Sequence, residues 1–245
     1  MWTNSRIKYI FGLLLLAGLI GAGTWVMFDH GIIIPNTPNF NEFPVRGVDV
    51  SSYQGEIDWE VLAGNDIDFA FIKATEGSSF VDPYFAQNWD RSGKTKLKIG
   101  AYHFLSFDSP GKSQAENFIR NVPKLEGAFP PAIDVEFYGD KAANKPSREA
   151  VQTILNDFIA ITEAHYGQKP IIYTVYETYD LYIRNDYIEY PLWIRDVIWK
   201  PSFANTPWTF WQYSAKGKMP GYVGEEYFID LNVFKGTPEE FAEMF

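Results

Sequence analysis

Hydrophobic positions follow two different rhythms along this chain. From Tyr9 to Phe28 apolar and small residues run without a charge, preceded by Arg6 and Lys8 and followed by Asp29. About 20 such residues can cross a bilayer as a helix, and basic residues on the N-terminal side place the rest of the chain across the membrane, exported. The run predicts a signal anchor over residues 1–31, a single N-terminal transmembrane helix. A cleaved signal peptide, giving a secreted protein, is the competing arrangement, with Gly21-Ala22-Gly23 as its cleavage region. Trp25-Val26-Met27-Phe28 carries the apolar run past that point and favours retention. Residues 32–44, with Pro35, Pro38 and Pro44 among polar neighbours, read as a tether.

From residue 45 to 245 the rhythm changes to short strand-like runs. They fall at Arg46 to Val50, Asp68 to Ala74, Lys98 to Leu105, Ala132 to Phe137, Pro170 to Val175, Pro191 to Val197, Trp208 to Tyr213 and Phe228 to Phe234. Helix-compatible stretches lie between the earlier ones, at Trp59 to Ala63, Tyr84 to Ser92, Gly111 to Asn121, Ser147 to Tyr166 and Glu177 to Ile183. The fourth has the clearest pattern, with Ser147 as an N-cap and a stripe of Val151, Ile154, Leu155, Phe158 and Ile161. Alternating strands and helices argue for a parallel α/β sheet. Eight strands in this length suggest a closed barrel whose last helices are reduced or missing. A doubly wound open sheet is the alternative, but no glycine-rich dinucleotide loop follows any strand.

Composition removes several functions. The 245 residues contain no cysteine, which excludes disulfides, thiolate zinc sites and a thiol nucleophile. Net charge is −10, and −11 beyond residue 34, so nucleic acid is not an expected partner. His30, His103 and His165 lack metal-ligand spacing, so neither a metal nor a cofactor is expected. No Gly-x-Ser-x-Gly elbow supports a serine hydrolase. Aromatic residues make up 18% of the chain, a composition that suits stacking on sugar rings as well as ordinary core packing.

The chemistry concentrates in Pro131-Ala132-Ile133-Asp134-Val135-Glu136-Phe137. Strand alternation puts Asp134 and Glu136 on one face. Two close acids raise each other's pKa, giving a proton donor beside a charge stabiliser, the equipment of glycoside hydrolysis. In an α/β barrel the C-terminal strand ends share one mouth. Asp49 would come there from the first strand, Lys73 and Glu76 from the second, and Tyr102 and His103 from the third. The later strands would add Tyr173, Trp193, Trp211 with Gln212, and Asp230. Structural readings compete at each: a turn at Asp49, a bend cap at Asp230, an ion pair for Lys73 and Glu76, an interior histidine at 103, and core packing for both tryptophans.

Seven segments in order carry a family resemblance. They are Gly47-Val48-Asp49-Val50-Ser51 with Tyr53-Gln54-Gly55, Phe71 to Gly77, Gly100 to Phe104, Asp134-Val135-Glu136, Pro191 to Ile194, Trp208 to Ser214, and Asp230 to Phe234. Residues 46–236 thereby resemble the glycoside hydrolase family 25 lysozymes, the Chalaropsis-type N-acetylmuramidases. The resemblance implies an incomplete TIM-like (β/α)5(β)3 barrel that cleaves the β-1,4 bond between N-acetylmuramic acid and N-acetylglucosamine in the glycan strands of peptidoglycan. It implies Glu136 as general acid, Asp134 as its partner, and Asp49 and Asp230 as flanking aspartates. Two departures stand out. Arg195-Asp196 replaces a small-then-basic pair, which could alter a pocket wall, and residues 222–228 form a variable loop. Family analogy favours attack by the substrate's own acetamido group, while a carboxylate nucleophile, Asp49 or Asp134, is the other retaining route. The expected state is a monomer. A sugar-binding domain without turnover and a hydrolase of another N-acetylated glycan are the competing functions.

Overall fold

A computed structural model describes residues 4–202 and 208–244, which form two units, one ending at Pro35 and the other beginning at Asn36. In the first, the charge-free run is a helix, α1 (Asn4–Asp29). Its segment Tyr9–Asp29 has a mean hydropathy of 2.1 and 21 residues, long and apolar enough to cross a membrane. Apolar residues occupy all sides of it rather than one stripe.

The second unit is a closed eight-stranded barrel. Its strands are β1 (Arg46–Val50), β2 (Phe69–Glu76), β3 (Lys98–Phe104), β4 (Ala132–Val135), β5 (Ile171–Val175), β6 (Leu192–Arg195), β7 (Phe210–Gly217) and β8 (Ile229–Phe234). Each pairs with its sequence neighbours and β8 closes on β1. Helices α2 (Trp59–Ala63), α3 (Phe85–Ser92), α4 (Gly111–Asn121) and α5 (Arg148–Tyr166) follow the first four strands. After β5 they thin out: α6 (Tyr176–Thr178) is one turn that runs into a π-turn at Tyr179–Ile183. Ser147 caps α5 by accepting the Ala150 N–H, and Gly167 ends it with φ of 74°, a left-handed conformation that side chains oppose.

The first seven strands run parallel, but β8 is antiparallel to both neighbours, against the expectation of an all-parallel sheet. A parallel return needs a crossover, usually helical. Residues 218–228 contain no helix, only the short strand Tyr222–Val223, which pairs with Glu56–Ile57 outside the barrel.

Alternation sorts the side chains of each strand. Facing inward near the floor, Phe69, Phe71, Ala132, Ile171, Phe210 and Phe234 form a core cluster with Val45 and Phe129. Rings of this size fit because two inward positions are glycine. A Cβ on Gly47 would lie 2.4 Å from the Phe69 ring, and one on Gly100 2.9 Å from Phe71. Helix α7 (Pro238–Met244) lays Phe241 beneath this cluster, 5.7 Å from Phe69 and 5.2 Å from Phe234 between ring centroids.

Residues 36–44, read above as tether, are packed on the barrel instead. Asn36 donates to the carbonyls of Asp196 and Trp199 at 2.7 and 2.9 Å, and Phe43 is buried against Trp208 and Trp211. Burial of the Phe43 ring outweighs the polar, proline-rich composition around it.

Candidate active site

The mouth of the barrel collects four carboxyl groups. On β4, Ala132 and Asp134 face inward while Ile133 and Val135 are buried outward. The strand stops at Val135, so Glu136 stands one residue beyond it. The Val135 carbonyl accepts from Thr178 at 2.7 Å and Thr174 at 3.2 Å, and the Asp134 carbonyl accepts from the Leu105 amide at 2.9 Å. Those bonds hold the backbone of both acids. Asp49 comes from the end of β1. Asp230 arrives from the start of β8, and the antiparallel register sets it opposite Asp49. All four acids line one cavity of about 300 Å³ with Tyr102, Tyr173, Trp193 and Gln212. The Trp193 ring stacks on Phe71 with centroids 4.4 Å apart, joining the site to the core below.

Asp49 and Asp230 form one pair. Asp49 Oδ2 accepts from Asn232 Nδ2 at 2.7 Å and from Gln212 Nε2 at 3.0 Å. Gln212 Oε1 in turn accepts from the Tyr173 hydroxyl at 2.8 Å, and Asn232 Oδ1 from Trp193 Nε1 at 2.8 Å. Burial raises the Asp49 pKa, against these donors and a hydrogen bond with Asp230. Asp230 is pushed well above the ordinary carboxylate range by burial, then by the charge of Asp49. Of the two, Asp230 is the one whose hold on a proton is strengthened by its partner, and Asp49 the one relieved by it.

Asp134 and Glu136 form the other pair. Burial lifts Asp134 well above its usual value, the charge of Glu136 adds to this, and Lys73 opposes it. Glu136 is also raised, first by burial; Asp49 adds to the rise, and Arg195 and Lys73 oppose it. Burial therefore leads in both, and the mutual repulsion expected between the two acids falls on Asp134. Asp134 Oδ1 is buried with no hydrogen-bond partner among the described residues. Tyr102 and Tyr173 are held far above the usual phenol value by burial and by the acids, so both keep their protons.

Four residues expected at the mouth do not line this cavity. His103 follows the inward Tyr102 and so points outward, between the barrel and the helices. Its Nδ1 accepts from Thr75 Oγ1 at 2.7 Å, its Nε2 donates to Gln114 Oε1 at 3.0 Å, and its ring stacks on Phe158. Burial pulls its pKa down to about 4, so it is a neutral structural imidazole. Trp211 precedes the inward Gln212 and also points outward, donating to the Asp196 carbonyl at 2.8 Å. Lys73 and Glu76 pair with each other at 2.8 Å at the end of β2, where Lys73 also lies 5.0 Å from the Phe104 ring centroid. They reach the acids through their charges: Lys73 acts on both Asp134 and Glu136, and Glu76 acts on Asp134 in the opposite sense.

Two groups went unread as site residues. Arg195 lines the cavity two positions after Trp193, and Asn232, two after Asp230, holds Asp49. The same two-residue step that links Asp134 to Glu136 marks both. A larger cleft of about 690 Å³ lies between Trp59 and Tyr222, and most of its charges are engaged: Glu56 pairs with Arg91, Lys94 with Asp90, and Asp58 caps α2. No cluster able to hold a metal ion occurs among the described residues.

Residues 48–222 match the family model described as glycosyl hydrolases family 25. The chain belongs to that family. A family 25 glycosyl hydrolase from Bacillus anthracis superimposes with a TM-score of 0.80 at 53% identity, covering 84% of this chain and 96% of that one. YegX of Escherichia coli K12 is 37% identical over 204 residues, 81% of this chain and 72% of the relative. Lysozyme M1 of Streptomyces globisporus is 32% identical over 206 residues, 79% of this chain and 68% of the relative. As a family 25 member, the chain is a glycosidase.

Proposed function

We propose that this glycosidase is a lysozyme that hydrolyses peptidoglycan at the β-1,4 bond between N-acetylmuramic acid and N-acetylglucosamine. The observation that carries the reading is the unpartnered Asp134 Oδ1, buried beside Glu136 in a cavity lined by four acids and three aromatic rings. Buried polar atoms are normally satisfied, so this oxygen is reserved for an N–H that comes with the substrate, that of the 2-acetamido group. Lysozyme M1 among the relatives agrees in substrate class.

In the resting pocket, Asp134 and Glu136 share a proton. When the acetamido N–H donates to Asp134, the ionised form of Asp134 is favoured and the proton is left with Glu136. Glu136 then protonates the glycosidic oxygen as general acid. The acetamido oxygen attacks the anomeric carbon as the leaving sugar departs, and Asp134 offsets the positive charge that develops on the ring so formed. Glu136, now a carboxylate, takes a proton from the water that opens this ring, and the anomeric configuration is retained. Asp49 is a poor nucleophile by comparison, because its Oδ2 already holds two amide donors. It keeps the negative field of the site with Asp230, while Tyr102, Tyr173, Trp193 and Gln212 form the walls that seat the sugar.

The order of elements fits a (β/α)5(β)3 barrel acting as a monomer, with residues 45–245 as the hydrolase. Residues 1–31 serve as a signal anchor that holds the barrel on the exported side of the membrane, and the barrel unit begins at Asn36, which packs on it with Phe43. The test is product analysis on purified peptidoglycan with the full-length enzyme and Glu136→Gln. Muramic acid at the new reducing ends, absent with the variant, is the expected result. Glucosamine ends, or binding without release, would replace this reading with one of a different bond or of a sugar-binding domain.

A further inference from the structure

Arg195 is an arginine beside carboxylates that pairs with none of them. It ends β6 on the inward face and lines the acid cavity with Asp49, Glu136 and Asp230. Among the described residues it makes no ion pair within 4.0 Å, no side-chain hydrogen bond and no contact over an aromatic ring, although it is only half-buried. Its charge still acts across the cavity, lowering the proton affinity of Asp49, Glu136, Asp230 and Tyr173. A guanidinium presents a planar fork of donors suited to two oxygens of one carboxylate. Held clear of the resident acids, it is set for a group that enters with the substrate.

On the peptidoglycan reading above, on which this inference rests, the sugar in the pocket differs from its neighbour by a lactyl ether that ends in a carboxyl group. That carboxyl is an amide where a stem peptide is attached and a free carboxylate where it has been removed. The amide offers one neutral oxygen; the carboxylate offers two charged ones that match the fork. The pocket is not purely negative: the charges of Arg195 and Lys73 both act on Glu136, although Lys73 is itself paired with Glu76.

We propose that Arg195 reads the lactyl group of the muramic acid sugar and favours its free carboxylate over the peptide-linked amide. The reaction that supplies the better substrate is then hydrolysis of the lactyl–peptide amide, and cutting of the glycan strand follows it.

The experiment compares peptidoglycan with the same material stripped of stem peptides by an amidase. The full-length enzyme, in detergent, and its Arg195→Gln and Arg195→Lys variants are assayed for muramic acid reducing ends at one pH. Taking the ratio of the two substrates within each enzyme cancels the altered pocket field. The wild type is expected to show a KM about tenfold lower on the stripped strands, as befits one charge-assisted pair. Arg195→Gln should bring that ratio to about one, and Arg195→Lys should keep part of it. Equal KM values for the wild type, or a ratio unchanged in Arg195→Gln, would overturn the assignment. Absence of muramic acid ends from both substrates with the wild type would instead remove the hydrolase reading, and this inference with it.

Discussion

Asp49 and Asp134 are buried carboxyl groups at the mouth of one barrel, yet the protein surrounds them differently. Asp49 Oδ2 holds two amide donors, each of which is held in turn by a tyrosine or a tryptophan. Asp134 Oδ1 holds none. Leaving a buried acceptor unpaired costs about 1–3 kcal/mol, so the protein carries that cost at Asp134 and avoids it at Asp49. One acid is built into the scaffold; the other is left incomplete, and it is there that the proposed function docks the substrate's N–H.

The largest effect tests the working pair itself. Glu136→Gln keeps the shape but removes the transferable proton, and hydrolysis at neutral pH should fall by roughly 10²–10⁴-fold with an unchanged thermal melt. Turnover near wild type would end the assignment of Glu136. The comparison between the pairs is sharpened by Asp134→Asn and Asp49→Asn. The amide introduced by Asp134→Asn can present an N–H where the substrate's own N–H is proposed to dock, and kcat should drop roughly 10²-fold. The Asp49→Asn variant keeps an oxygen for its amide donors, and the loss should be about tenfold. A larger loss at Asp49 than at Asp134 would reverse the two roles.

A smaller effect concerns stability and pH. The folded pKa of Asp230 lies well above its unfolded value, so the folded state binds the extra proton. The stabilisation this gives is fully present below the ordinary carboxylate pKa of about 4 and is lost as pH rises through the folded value. Asp230→Asn should therefore raise Tm by about 2–4 °C at pH 7 and leave it unchanged near pH 4, read by thermal melts at the two pH values. A lower Tm at pH 7 would mean that the Asp49–Asp230 pair stabilises the fold. The smallest effect on activity is expected outside the mouth: Trp211→Phe loses the bond to the Asp196 carbonyl and should lower Tm while kcat/KM stays within about twofold.

The barrel strands and the four acids were legible because both follow a local period of two. That same period was not applied at Tyr102 and His103, or at Trp211 and Gln212, where adjacent residues were both assigned to the mouth. Only one of two neighbours on a strand can face inward, and the outward ones are His103 and Trp211. Arg195 was visible two steps from Trp193, but it registered only as a departure from the family pattern. The direction of β8 was not legible, since alternation reads the same both ways and the connection decides it. Nor was the docking of Asn36, whose carbonyl partners lie at Asp196 and Trp199, far along the chain.

Because β8 descends while the other strands climb, the segment that delivers Asp230 to the mouth leaves the chain at the opposite end. Arg46 starts β1 there, level with Val233, and α7 follows close by with Phe241 against Phe69 and Phe129. The start of β1 and the C-terminal helix thus share the blind side, whereas Asn36, where this unit begins, sits beside Asp196 and Trp199 just past the mouth end of β6. A dye, an immobilising linker or a second module attached behind α7 would leave the opening clear for a substrate as bulky as a wall polymer.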